Sequence, residues 1–228
     1  MDTQAPEGIS LAVSTVIFAL RPHPVTGLST LWLPLVRRTR DPFAGKWALP
    51  GGWVTPDESL SDAAARNLLE TTALEPTYLE QLYAFGDVDR SPDARVVSVV
   101  YWALVRAEEA ERAAEGDNVG WFPADELPEL AFDHNAIVDY ALWRLRTKME
   151  YSRIALAFLG ETFTLSELRE VHEAVLQKPL DPANFRRQVE GTLVPTDHVV
   201  TGGRHRPPRL YRYDESIELV HNGPLAHA

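Results

Sequence analysis

The sequence predicts a mixed α/β (α+β) domain followed by a smaller C-terminal winged helix-turn-helix domain. Three observations predict it. Runs rich in β-branched and aromatic residues alternate with two helical segments over residues 10–148. Beyond residue 150 the texture changes to short helices with strong start signals. A turn of glycine, proline and basic residues then separates two short β-rich runs. At 228 residues the chain can build two domains, each with its own core.

Residues 10–20 (SLAVSTVIFAL), 28–37 (LSTLWLPLVR), 80–88 and 95–105 (RVVSVVYWALV) read as strands. Helical spacing runs from Pro56 to about Thr72 and from Asn135 to about Lys148. Residues 151–160 (YSRIALAFLG) read as a short apolar helix that Gly160 stops. TLSE, from Thr164 to Glu167, is a capping box: the Thr164 hydroxyl accepts from the amide three residues on, and Glu167 reaches back to the cap amide. The helix it opens runs to about Leu176. Asp181-Pro182 starts the next one with a cap and a first-turn proline. On that helix Phe185 and Val189 form an inward stripe, which leaves Asn184, Arg187 and Gln188 pointing elsewhere. DHVVT (197–201) and RLYRYD (209–214) flank the turn GGRHRPP and complete a hairpin.

The net charge of -11 argues at first sight against a nucleic-acid partner. Its distribution matters more. Residues 1–150 hold 13 Lys+Arg against 23 Asp+Glu, while residues 151–228 hold 9 against 10. Within 184–212 the balance reverses, with Arg186, Arg187, Arg204, Arg206, Arg209 and Arg212 facing only Glu190 and Asp197. An electrostatic field acts over a Debye length of about 8–10 Å, so this patch can serve phosphate despite the global sign; a solvated charged face is the plainer alternative. The absence of cysteine excludes disulfides and thiolate metal sites. With no stretch of membrane length and no leader-like opening, the expectation is a cytoplasmic protein without a membrane partner.

Helices followed by a basic hairpin make a winged helix-turn-helix, in which the second helix of the pair enters the major groove and the wing meets backbone or minor groove. Asn184 and Gln188 suit adenine edges, Arg186 and Arg187 suit guanine edges or phosphates, and Arg204 and Arg206, with His205 between them, suit phosphates. Thr164 and Ser166 complete the expected DNA-binding set. The same fold also serves protein association or dimerisation, and that alternative stays open.

GGWVTPDESLSDAAARNLLETTAL, residues 51–74, resembles the Nudix box, G-x5-E-x7-R-E-U-x-E-E-x-G-U with U a bulky aliphatic residue. Gly52, Glu58, Arg66, Leu68, Glu70 and Leu74 fit it. The preceding GKWALPGG, FGDVDR at 85–90, RVVSVVYWAL at 95–104 and WFPADELPELAFDH at 121–134 also resemble Nudix domains, particularly those related to ADP-ribose pyrophosphatases. The resemblance implies a Nudix-like sandwich over residues 8–150. It departs at Asn67 and Thr71, where the family has glutamates, and at Ala73, where it has glycine. On a helix, positions 66, 67, 70 and 71 fall within about 140°, so they are expected to share one face. In a working box that face carries carboxylates that hold Mg²⁺ and activate water. Only Glu70 remains of the three.

The expectation is therefore a degenerate box with no catalytic residues, no required cofactor and at most weak Mg²⁺ binding through Asn67, Asp57 or Glu58. The alternative is an active Mg-dependent ADP-ribose pyrophosphatase with an accessory winged-helix domain. Arg38, Trp47, Gly51, Gly52, Arg66 and Glu70 form the candidate effector site: Arg38 and the amides of the Pro-Gly-Gly turn could surround a diphosphate while Trp47 or a neighbouring aromatic stacks on a base. Trp47 reads equally as a core residue, Arg38 as the edge of a strand, and Arg66 with Glu70 as a structural i,i+4 ion pair.

The phrases FTLSELREVHEAVLQKPLDPANFRRQV and RHRPPRLYRY resemble the C-terminal domain of the Nudix-related transcriptional regulators of NAD metabolism, NrtR. With the Nudix-like part included, the resemblance covers nearly the whole chain. It implies a Nudix-like effector-binding domain at 8–150 and a winged helix-turn-helix DNA-binding domain at 151–228. It further implies a bacterial homodimer that represses NAD biosynthesis or salvage genes, binds a palindromic operator, and is released by ADP-ribose or a related nucleotide.

Overall fold

The computed structural model describes residues 8–74, 78–111, 113, 118–149, 153–199, 208–214 and 216. Seven strands and three helices come first: β1 (Ser10–Pro22), β2 (Ser29–Arg37), β3 (Trp47–Ala48), β4 (Gly51–Trp53), α1 (Leu60–Thr72), β5 (Tyr78–Phe85), β6 (Val96–Val105), α2 (Ala107–Ala110), β7 (Val119–Pro123) and α3 (His134–Met149). The strands form one sheet in the order β3-β2-β1-β6-β5, with β4 added to β1 and β7 to β2. β1 and β6 run parallel from Ser10↔Val96 to Ala19↔Val105. Parallel strands buried on both faces need an unbroken apolar run. That is why β1 is buried continuously from Val13 to Ala19; of its two polar interruptions, Ser14 shares a hydrogen bond with the hydroxyl of Ser98 at 3.0 Å, while the Thr15 hydroxyl is buried without a partner among the described residues.

The chain divides into two compact units. One takes Trp32–Leu142 with β1 as far as Ala19; the other takes Leu20–Leu31 with the chain from Trp143 onward. The division falls inside α3, whereas the sequence places a boundary after residue 150. In the first unit α1 covers one face of the sheet. Ala63 and Ala64 cluster with Val13, Val99 and Tyr101, and Leu68 with Ile17, Ala19, Ala103 and Val105. The helix starts at Leu60, not Pro56. The Thr55 amide donates to Glu58 at 2.8 Å, which makes 55–58 a turn, and Ser59 becomes the cap by accepting from the Asp62 amide. β5 likewise ends at Phe85, before Gly86, rather than at Val88.

In the second unit, α4 (Leu165–Leu176) and α5 (Pro182–Val189) carry the caps read from sequence, Thr164 with Glu167 and Asp181. Of the apolar run before them, the described residues 153–160 hold a 3₁₀ turn, Ile154–Ala157, in place of the helix that the sequence predicts. A segment of that length gains few propagating hydrogen bonds against the cost of nucleation. Phe163, Leu168, Val171, Val175, Phe185 and Val189 are buried together with Leu193 and Tyr213. β8 (Leu193–Val199) pairs antiparallel with β9 (Arg209–Tyr213), and Phe163 bridges to Tyr211 on the other side of β9. β8 begins before the expected DHVVT run because Leu193 and Val194 already pair with Tyr213 and Arg212. No helix among the described residues is long and apolar enough to cross a membrane.

Candidate functional site

Gly51 and Gly52 lie on β4 beside β1, in register with Ser14 and Val13. A Cβ at Gly51 would stand 2.3 Å from the Val13 carbonyl, and one at Gly52 would stand 2.2 Å from Oδ1 of Asn67. Only glycine lets the turn approach both the strand and α1 so closely. Arg66 fastens this turn to the helix. Its Nε and Nη2 donate to the two carboxylate oxygens of Glu58 at 2.9 and 2.7 Å, and Nη2 also reaches the Trp53 carbonyl at 3.3 Å. The Arg66 hydrogen bonds, followed by the Thr55 amide, hold the Glu58 carboxyl down at about 2. Glu70 is the lesser partner, 3.4 Å from Nη1 and 62% exposed, so the structural pair expected between Arg66 and Glu70 is chiefly one between Arg66 and Glu58.

The expected shared face is also divided. Asn67 is 7% exposed and turned inward, its Nδ2 donating to the Ala63 carbonyl at 2.8 Å. Thr71 is half-buried and Glu70 exposed. Magnesium wants several hard anionic oxygens at one point. Here both Glu58 oxygens are engaged by Arg66, Asn67 is neutral and buried, and no group of three acidic or histidine side chains among the described residues could hold a metal ion. These residues do not fit the metal that a Nudix box implies. Ala73, standing for the family's glycine, keeps the left-handed C-cap conformation at φ 57°.

The remaining effector candidates, Arg38 and Trp47, have other partners among the described residues. Trp47 is half-buried, its ring edge-on to Phe122 at 5.0 Å, and its carbonyl accepts from the Ala131 amide at 2.8 Å. Its ring and backbone are thus held in place by the fold. Trp53, the neighbouring aromatic that adjoins the glycine turn, is 59% exposed. Arg38 lies over the ring of Phe132 at 4.6 Å. Next along the chain, Asp133 takes a bidentate pair from Arg90 at 2.9 and 2.7 Å. His134 Nδ1 accepts from the Leu49 amide at 2.9 Å. Burial pushes the His134 imidazole down to about 4, so it is neutral with its proton on Nε2. FGDVDR and ELAFDH were each visible in the sequence; nothing in either says that Arg90 and Asp133 meet.

In the second unit α5 buries Phe185 and Val189 and exposes Asn184, Arg186, Arg187 and Gln188, as the stripe predicts. The Arg187 guanidinium donates to the Asn184 side chain and to the Ala183 carbonyl, so it is oriented along the exposed face. Arg186 is drawn toward Glu190 at 3.5 Å. His172 on α4 meets Phe185 edge-on at 5.0 Å, which fixes α5 against α4. Thr164, expected among the DNA contacts, is 8% exposed and its hydroxyl accepts from the Glu167 amide, so it caps α4; Ser166 is exposed. Arg204, His205 and Arg206 lie outside the described residues. Arg209 and Arg212 on β9 are exposed.

A sheet domain with a helix anchored to a glycine turn, joined to a capped helix pair and a hairpin, defines a Nudix domain linked to a winged-helix DNA-binding domain. Residues 25–141 match the family model of the NUDIX domain and residues 155–213 that of the NrtR DNA-binding winged helix domain. The chain belongs to the NrtR family of Nudix-related regulators. The ADPR responsive transcriptional repressor NtrR of Acinetobacter baylyi is 33% identical over 190 residues, covering 80% of this chain and 76% of that protein. NrtR of Shewanella oneidensis, solved in complex with a 27mer DNA, is 37% identical with a TM-score of 0.73, covering 90% of this chain and 93% of that one. Its NUDIX domain, solved with ADP ribose, is 34% identical with a TM-score of 0.51, covering 63% and 94%. The ADP-ribose pyrophosphatase of Methanocaldococcus jannaschii is 35% identical over 111 residues, 48% of this chain and 66% of that protein.

Proposed function

We propose that the protein is a cytoplasmic transcriptional repressor of NAD biosynthesis or salvage genes that binds a palindromic operator as a homodimer and is released by ADP-ribose or a related nucleotide. One observation carries the reading: a single chain joins a box whose carboxylates are replaced or tied to Arg66 with an exposed Asn184, Arg187 and Gln188 face on a capped helix. The Acinetobacter repressor and the two Shewanella complexes support both halves of it. The box serves binding rather than hydrolysis and requires no metal.

Release is a population shift. ADP-ribose binds better to an arrangement of the dimer whose two α5 helices no longer match half-sites about 34–36 Å apart, or a multiple of that. By linkage, operator DNA lowers ADP-ribose affinity by the same factor. A gel-shift titration with promoters of NAD genes measures both. ADP-ribose should raise the operator Kd, and an unchanged Kd eliminates it as effector. Arg187→Ala should alter sequence preference, whereas loss of a wing arginine should lower affinity for all sequences and flatten the salt dependence.

The hydrolase reading is favoured by the identity to the Methanocaldococcus enzyme. Incubation with ADP-ribose and Mg²⁺, assayed for AMP and ribose 5-phosphate, separates the two. Robust turnover that Glu70→Gln abolishes establishes the enzyme instead.

A further inference from the structure

The loop between β2 and β3 carries an arrangement that the box does not use. Phe43 and Phe132 both hold positive φ, 67° and 57°, although neither is glycine. Their rings meet edge to face, with centroids 5.0 Å apart. A residue with a Cβ stays in the left-handed region only when its surroundings over-determine it, and such residues gather at functional sites. Here the two mutually touching residues support one charged group, because the Arg38 guanidinium lies 4.6 Å over the Phe132 ring.

The hydrogen bonds of Arg38 define what remains available. Its Nε donates to the Pro42 carbonyl at 2.8 Å and its Nη2 to the Arg40 carbonyl at 3.4 Å. Nε and Nη2 share one edge of the planar group, so the loop's own carbonyls occupy that edge. The Nη1 hydrogens and one Nη2 hydrogen, which form the end of the fork, are unspent. Asp41 acts on Arg38 through charge without forming an ion pair. A guanidinium held over an aromatic ring with its end fork free matches bidentate binding of phosphate oxygens. A mobile, hydrated lysine ammonium cannot reproduce that geometry.

We propose that Phe132, backed by Phe43, is a positioning residue that holds the Arg38 fork for the diphosphate of the nucleotide effector. This rests on the reading that the Nudix-like domain binds such a nucleotide. Titration calorimetry of the full chain with ADP-ribose, and with inorganic pyrophosphate as the diphosphate alone, tests it. Phe132→Leu and Arg38→Lys should each weaken ADP-ribose by about tenfold, and Phe132→Tyr should restore parental affinity. The Phe132→Leu/Arg38→Lys double variant should lose no more than Arg38→Lys, since both changes remove one contact. A urea unfolding transition matching the parent's in every variant shows that the substituted unit still folds. If the parent binds ADP-ribose and Phe132→Leu binds it equally well, or if the two losses add, the positioning role is wrong while the effector reading stands. A parent that binds neither ligand removes both.

Discussion

Replacing Gly52 with alanine strikes one side chain. The three nearest atoms to a Cβ there all belong to Asn67, with Oδ1 at 2.2 Å and Cγ at 3.1 Å. Comfortable non-bonded contact lies near 3.5–4.0 Å. An overlap of this size cannot be absorbed in place, so Asn67 must turn and give up its 2.8 Å bond to the Ala63 carbonyl. Overpacking of about 1–2 kcal/mol plus a buried hydrogen bond of about 1 kcal/mol gives a loss of about 2–3 kcal/mol for Gly52→Ala. Asn67→Ala alone forfeits about 1 kcal/mol, partly offset by the better helix propensity of alanine. In that background the three atoms nearest the new methyl at position 52 are gone, and Gly52→Ala should cost less than about 1 kcal/mol. Urea denaturation of the four proteins therefore yields a coupling energy of about 1–2 kcal/mol, the double variant being more stable than the sum predicts. Losses that add to within about 0.5 kcal/mol refute the reasoning, because Asn67 would then lie elsewhere, free to face a ligand.

Three further outcomes follow from single residues. The His134 imidazole titrates near 4 instead of 6.5, so the unfolded chain binds its proton first; its contribution is present above about pH 6.5 and is lost as pH falls toward 4, amounting to about 3 kcal/mol. Denaturation across pH 7 to 4.5 should show a slope that His134→Gln flattens, and identical slopes overturn the assignment. Ala73→Gly at φ 57° should stabilise the domain by about 1 kcal/mol, seen as a raised urea midpoint, with a lowered midpoint as the contrary result. Thr164→Ala removes the α4 cap and should cost about 1 kcal/mol of stability while leaving operator specificity intact; altered specificity would restore Thr164 as a DNA contact.

Local signals carried much of the fold. The capping box at Thr164, the Asp181-Pro182 start and the Phe185/Val189 stripe depend on residues three or four apart, and the chain builds α4 and α5 where they say. Features that needed tertiary knowledge were not legible. The spacing of Arg66 and Glu70 suggested an i,i+4 pair, yet Glu58 takes the guanidinium because the glycine turn brings the 55–58 loop back over α1. Angular arithmetic put Asn67 on the face with Glu70, but a 140° face is wide enough that one edge is buried under Gly52 while the other meets solvent. Nothing local distinguishes Trp47 from its neighbouring aromatics as a stacking ring; Phe122, from a strand far along the sequence, packs edge-on against Trp47, while Trp53 beside the glycines is exposed.

Putting the missing charges back separates a box that has only lost carboxylates from one rebuilt around its replacements. Asn67→Glu with Thr71→Glu restores the family's three helix carboxylates. At position 67 the new carboxylate enters a site where the present side chain is 7% exposed, with Glu70 one turn away. Without a cation, like charge and desolvation together should destabilise the variant by about 1–3 kcal/mol. A bound ion returns stability as RT ln(1 + [L]/Kd), about 2.7 kcal/mol at a hundredfold excess over Kd. The double variant should therefore unfold at a higher temperature in Mg²⁺ than in a chelator, and the parent should not. Asn67→Glu alone should show the destabilisation with little of the rescue, since two carboxylates hold Mg²⁺ less firmly than three. If the parent gains as much from Mg²⁺ as the double variant, then Glu58, Glu70 and the Asn67 amide already hold the ion despite Arg66, and the pyrophosphatase reading regains its footing.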